Sequence, residues 1–202
     1  MLSLFPTLVY VAPLASAGAR PPSTLRARPL AECRQLALED RAGRLWSRRS
    51  YPGGYTSYAS LSRMQRISPT FALLEHSLGA HVRRYARALG LDLRGKRLAM
   101  TDCWVNVMRR QVVHSGHLHP LSTISGTYYV QVPRGASGLR FEDPRLERFM
   151  ASPPRRGRHR SWHTVPARDG QVVLFESWLR HEVPPHPVRA ERISVSFNYG
   201  WF

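Results

Sequence analysis

The sequence predicts a mainly β fold with flanking helices: helices first, then an antiparallel sandwich or barrel. Three observations lead there. From Leu98 onward, strand-like runs recur at Leu98–Met108, Thr123–Val132, Ser161–Val165, Gln171–Phe175 and Arg192–Tyr199. Turn-rich pieces such as "PRGASG", "EDPR" and "ARDG" separate them, which is the spacing of short paired strands. Before Leu98 the apolar period is helical instead, and no internal repeat divides the 202 residues, enough for one core. The expectation is one domain over 1–202, helical over about 25–95 and β from about 97.

Each element has its own signal. The opening "MLSLFPTLVYVAPLASAGA" imitates an export signal, but no Lys or Arg precedes Arg20 and Pro6 and Pro13 interrupt the run. Leu4–Val11 is therefore expected as an edge strand and the protein as cytoplasmic. Ala12–Ser23, rich in Ala, Ser, Gly and Pro, reads as a linker. Leu30–Trp46 has helical character, with Leu36, Leu38, Leu45 and Trp46 as candidate core residues. "YPGGYTSY" is turn chemistry. Ser68-Pro69 is a cap followed by proline at the first helical position. Phe71, Leu74, Leu78, Val82, Tyr85 and Leu89 then recur at spacings of three and four, and Gly90 ends the helix.

The formal net charge is +17, and 29 of the 30 basic residues are arginine, with Lys96 the single lysine. So strong a balance ordinarily points to nucleic acid or anionic lipid. Arginine almost without lysine fits codon bias in a GC-rich genome better than a built phosphate-binding face, so nucleic acid is not an expected partner. No run of 18 apolar residues exists, so no membrane span is expected. Cys33 and Cys103 are too few and too far apart for a disulfide framework. "GLDLRGKR" nearly matches a phosphate loop. Arg97 stands where that loop needs Ser or Thr, and the segment follows a helix rather than a strand.

The chemistry concentrates in "HSGHLHPLSTISGTYYV", which holds three of nine histidines within six residues. His117 and His119 are two apart, so on a strand both imidazoles face one side and can reach one ion. A hydrogen-bonded pair in a polar groove would look the same. A third nitrogen is available from His181, just past the buried-type strand Val172–Phe175. In "RISVSFNYGW", alternation puts Arg192, Ser194 and Ser196 on one face and Ile193, Val195 and Phe197 on the other. An arginine fork beside a hydroxyl grips a carboxylate through parallel charge-assisted bonds. Three nitrogens with open positions, plus a carboxylate clamp, suit a non-haem ferrous centre that chelates a 2-oxo acid and binds O2.

These pieces carry a resemblance. "HLHPLSTISGTYYV", "LRFEDPR", "GQVVLFESWLRHEV" and "ERISVSFN", with "LFPTLVY", "GGYTSY" and "DCWVNVM" ahead of them, resemble the Fe(II)/2-oxoglutarate-dependent oxygenase superfamily, and within it a bacterial family of 2OG-Fe(II) oxygenases. The resemblance spans nearly the whole chain. It implies a double-stranded β-helix (jelly-roll) core, with Fe(II), 2-oxoglutarate and O2 used to hydroxylate a C–H bond and succinate and CO2 released. It implies His117 as first metal ligand and His181 as the distal one. Arg192 and Ser194 match the pair that holds the far carboxylate of 2-oxoglutarate. Asn106 and Tyr129 match further co-substrate contacts, and either is equally an ordinary barrel strand residue. His119 departs from the pattern, because the superfamily commonly has Asp or Glu there. His119 as third ligand is the preferred expectation; Glu142 and Asp143 are the nearby acids that could assist, and His114 is expected outside the metal's ligands.

Two other functions share some of these features. A cupin-like enzyme would use three histidines without 2-oxoglutarate, and the Arg192–Ser194 pair speaks against it. A basic nucleic-acid-binding module would leave the ordered histidines without a purpose. The prime substrate, small molecule or peptide, and the oligomeric state are not legible.

Overall fold

The computed structural model describes residues 2, 4–16, 24–145, 150–151, 153–154, 156–157 and 160–202. Two antiparallel sheets face one another, and helices cover the outer side of the larger one. Helices α1 (Thr24–Glu39), α2 (Arg41–Ser50), α3 (Met64–Ile67) and α4 (Pro69–Ala88) precede most of the strands. The strands are β1 (Tyr10–Pro13), β2 (Tyr55–Thr56), β3 (Leu98–Met108), β4 (His114–His117), β5 (Ile124–Gln131), β6 (Leu139–Glu142), β7 (Trp162–Val165), β8 (Gln171–Glu176), β9 (His181–Val183) and β10 (Arg192–Trp201). The six-stranded sheet runs β1-β8-β5-β10-β3-β2 and the four-stranded sheet β4-β9-β6-β7. This is the jelly-roll arrangement, in which two facing sheets enclose a core between them. No described helix is long and apolar enough to cross a membrane.

Period-two alternation divides each long strand between two cores. Val105, Val107, Ile193, Val195 and Phe197 join Phe71, Leu74, Leu78, Val82 and Tyr85 of α4 in the core beneath the helices. The opposite faces of the same strands look into the space between the sheets. There Met108, Tyr129, Val173 and Phe175 meet Leu139, Phe141 and Val183 of the smaller sheet. Gly126 in β5 is forced by this packing: a Cβ there would stand 2.7 Å from Leu174, Phe197 and the Val173 carbonyl. Helix α4 starts as its sequence dictates, with the Ser68 side chain accepting a hydrogen bond from the Thr70 N–H and Pro69 at its first position.

Several expectations change. The edge strand is β1 at Tyr10–Pro13, not Leu4–Val11. Its pairing with β8 begins at Tyr10 opposite Leu174. Phe5 takes a positive φ of 54° and lies 93% exposed, and Pro6 offers no N–H to a ladder. Ala12 and Pro13 of the expected linker are part of that strand, and Leu14–Ser16 form a short 3-10 turn. Residues 17–23 of the linker lie outside the described residues. The helix expected over Leu30–Trp46 is two helices broken at Asp40, whose carboxylate caps α2 by accepting from the Gly43 N–H. Leu38, Leu45 and Trp46, expected in the core, are exposed; for Leu45 and Trp46 the reason is that the break puts α2 on its own axis. The short strands β2, β4, β6 and β9 carry too few residues to show a period of their own.

Candidate metal centre

The smaller sheet sets the first two histidines. His117 ends β4 and His181 begins β9, and the two are direct cross-strand partners. His119 reaches the same point by a different route. It lies beyond the end of β4, in the turn that follows, so the strand-face argument for the pair does not describe it. Its backbone N–H donates to the Ser177 carbonyl at 2.9 Å, which anchors that segment to the turn just after β8. One ring nitrogen from each of His117, His119 and His181 then lies within 4.8 Å of the others. The Nε2 atoms of His119 and His181 are 3.3 Å apart.

For His117 and His181 the other ring nitrogen is already committed. His117 Nδ1 donates to the Ser115 carbonyl at 2.7 Å, and His181 Nδ1 donates to the Leu179 carbonyl at 2.9 Å. A proton fixed on Nδ1 leaves the lone pair on Nε2, pointing inward, as a metal ligand requires. Burial, reinforced by the neighbouring His117, lowers His181 from the usual 6.5 to about 2 and His119 to about 4. Burial lowers His117 as well. All three imidazoles are therefore neutral at physiological pH, the form that binds a divalent transition metal.

The carboxylates weighed as alternatives point elsewhere. Glu142 accepts a hydrogen bond from Arg180 Nη1 at 2.6 Å, and Asp143 pairs with Arg145. The Arg180 side chain lies against Gly116, 3.0 Å from where a Cβ would be, so Glu142 and Arg180 brace the outside of β4. No acidic residue joins the cluster among the described residues. His114 stacks on His117 with ring centroids 4.5 Å apart and also packs on Tyr51, but contributes no atom to the cluster.

Opposite the histidines, the larger sheet presents a polar row. Ser194 on β10 stands opposite Asn106 on β3 and Tyr129 on β5, and Arg192 stands opposite Met108. Arg192 is only 2% exposed, and its guanidinium lies over the Tyr129 ring, 4.9 Å from the centroid. Its Nη1 contacts the Met108 sulfur at 3.1 Å, while Nε has no partner. Among the described residues no carboxylate is in ion-pair range of it. Tyr129 Oη, Tyr51 Oη and Asn106 Oδ1 are likewise buried without partners. Asn106 Nδ2 donates to Ser196 Oγ at 3.0 Å. A buried cation costs several kcal/mol unless it is paired. The orphaned groups of Arg192, Tyr51 and Asn106 face one narrow cavity that the three histidines also line, with Tyr129 packed on Arg192, and this donor set suits a carboxylate. The chain thus brings His117, His119, His181, Arg192, Ser194 and Asn106 to one cavity, with Tyr129 beneath Arg192.

Three residues of the site had no sequence signal of their own. Tyr51 lines both this cavity and the wider cleft beside it, and it comes from the turn after α2. Trp104 stacks on His119 at 5.8 Å, and Tyr58 meets Trp104 edge-on at 5.2 Å. The period-two alternation of β3, which carries Trp104 and Asn106 on one face, was the one available hint.

Residues 102–198 match the family model described as "Putative 2OG-Fe(II) oxygenase". No curated protein matches the chain. Among solved structures, the chain resembles a prolyl-4-hydroxylase from Pseudomonas putida, with TM-score 0.62 and 17% identity over 97% of this chain and 94% of that one. It resembles HygX from Streptomyces hygroscopicus, solved with nickel, 2-oxoglutarate and hygromycin B, with TM-score 0.62 and 16% identity over 96% and 83% of the chains. It also resembles the non-haem α-ketoglutarate-dependent epimerase SnoN of nogalamycin biosynthesis, with TM-score 0.66 and 15% identity over 96% and 76%. The match to an oxidoreductase from Burkholderia pseudomallei spans 58% of that chain. At these identities the likenesses establish the fold.

Proposed function

We propose that this chain, whose residues 102–198 match the model of a family of 2OG-Fe(II) oxygenases, is a dioxygenase that hydroxylates a C–H bond of a small-molecule or peptide substrate. His117, His119 and His181 hold Fe(II) through Nε2. Arg192 and Ser194 hold the far carboxylate of 2-oxoglutarate, with Tyr129 and Asn106 beside it. Fe(II) held by these residues would supply the coupling of 2-oxoglutarate decarboxylation, to succinate and CO2, with oxidation of the substrate by O2. The protein's part is to keep three imidazoles neutral, to present a fixed cation to the co-substrate and to keep water from both.

The observation that carries this reading is the pairing of two facing devices in one cavity. Three imidazole nitrogens lie within 4.8 Å of one another, and a buried arginine with an unpartnered Nε stands across from them. His119 in place of a carboxylate is the feature that a cupin-like three-histidine enzyme would share, and such an enzyme has no use for Arg192. The test is anaerobic titration with Fe(II), then with 2-oxoglutarate, followed by measurement of O2-dependent succinate release. Binding of both and slow succinate release without prime substrate are expected. Iron binding with no affinity for 2-oxoglutarate would favour the cupin-like reading.

A further inference from the structure

Beside the metal centre opens a second, larger cleft of about 520 Å3, within the range of small-molecule sites. His117 and His119 form part of its floor, so a molecule held here lies against the iron-binding nitrogens. Its walls are aromatic, with Trp46, Tyr51, Tyr58 and Trp104. Trp46 and Tyr58 are 37% and 51% exposed, an arrangement that leaves ring surface open to a ligand.

The charge of the lining is the informative part. The protein carries 30 basic residues and a net charge of +17, yet no Arg or Lys lines the cleft among the described residues. Its one carboxylate is Asp102. Thr101 Oγ1 donates to Asp102 Oδ2 at 2.7 Å and Asn198 Nδ2 approaches the same oxygen at 3.5 Å, whereas Oδ1 accepts no bond from the described residues. A phosphate or carboxylate entering here would find no cation and would meet Asp102. An ammonium would find a carboxylate oxygen and several aromatic faces, which attract cations when water is excluded. Beneath the cleft, three neutral histidines, one Fe(II), one 2-oxoglutarate dianion and the Arg192 cation sum to a single positive charge, and Arg192 does not line the cleft itself. The long-range field of the basic surface is screened over about 8 Å at physiological salt, so contacts inside the cleft decide.

We propose that this cleft takes a small-molecule amine with a flat apolar body, its ammonium on Asp102 and its body against the open rings of Trp46 and Tyr58. The proposal rests on the oxygenase reading, since it takes the cleft as the prime-substrate site. Three probes of one shape test it on the protein loaded with Fe(II) and 2-oxoglutarate under anaerobic conditions: tryptamine, neutral 3-methylindole and indole-3-acetate. Tryptamine is expected to bind about tenfold or more tightly than indole-3-acetate, with 3-methylindole between them. Asp102→Asn is expected to erase the gap between tryptamine and 3-methylindole. The readout is the ratio of affinities, which a general loss of fold does not generate, and the wild-type ratio stands without any variant. Equal or reversed affinities in the wild type, or a preference that survives Asp102→Asn, would overturn the inference. Absence of Fe(II) and 2-oxoglutarate binding would sink the oxygenase reading instead. Normal binding of both with no amine preference would sink this inference alone.

Discussion

The three histidines proposed to hold iron are not equivalent under substitution: carbonyl oxygens fix the rings of His117 and His181, and a main-chain bond to Ser177 places His119. His117→Ala and His181→Ala remove cross-strand partners whose Nδ1 atoms are fixed by carbonyl oxygens. Both variants are expected to lose Fe(II) binding in an anaerobic titration, and retention of wild-type iron affinity by either would refute the ligand set. His119→Asp restores the carboxylate common in the superfamily and is expected to keep iron. The shorter side chain, carried on a turn rather than a strand, should lower turnover. His114→Ala should retain most iron affinity, since His114 only stacks on His117. Arg192 is a buried cation that, on the proposed reading, faces the co-substrate. Removing one partner of such a pair costs about 2–5 kcal/mol, or roughly thirtyfold to several thousandfold in affinity. Arg192→Ala should therefore bind iron normally and 2-oxoglutarate weakly. An unchanged 2-oxoglutarate dissociation constant would show that the arginine is structural.

At the scale of elements, the long strands β3, β5 and β10 act as the frame. Their alternation sends one row of side chains to the helices and the other to the site, so Ser194, Asn106 and Tyr129 come into line through register alone. Helix α4 closes the outer side and ties the first strand down through His81. His81 Nε2 donates to the Leu14 carbonyl at 2.9 Å, and Nδ1 accepts from the Tyr10 hydroxyl at 2.9 Å. Burial lowers the pKa of His81; the Leu14 bond opposes this and nearby Arg84 adds to it. The unfolded chain thus binds a proton at His81 as pH falls through about 6.5, and the folded chain does not. The contribution of neutral His81 is present above that pH and is lost below it. Denaturant midpoints measured between pH 7.5 and 5 should fall in the metal-free protein and fall less steeply in His81→Gln. The same slope in both would remove His81 from the account.

For the whole molecule, the large positive charge surrounds a cleft with no Arg or Lys among its described lining residues. This separates the charge from the chemistry. If the arginines reflect composition alone, binding to duplex DNA should be weak, indifferent to sequence and lost near physiological salt, because each phosphate contact is exchanged for counterions. A fluorescence titration against salt checks this. A nanomolar complex that survives that salt would make nucleic acid a true partner.

Much of this molecule is legible one-dimensionally. The α4 stripe, its Ser68-Pro69 start and the full extent of β3 follow from local rules of period and capping, which depend only on neighbouring residues. The division of β10 into an Arg-Ser-Ser face and an Ile-Val-Phe face follows from the pleat. The histidine spacing pointed to a metal and the Arg-x-Ser pair to a carboxylate, although His119 does not share the strand face that the spacing implied. Tertiary structure decided the rest. Whether His119 or an acid completes the cluster depends on where the turn after β4 is pinned, and the Ser177 carbonyl pins it. The pairing of Glu142 with Arg180 joins residues 38 apart. The break at Asp40 follows from a cap competing with helix continuation, a balance that apolar spacing does not express. Tyr51 and Asp102 reach the site only because the end of α2 and the interior of β3 meet beside it. Spacing reports which face a residue shares with its neighbours, whereas long-range register decides what that face meets.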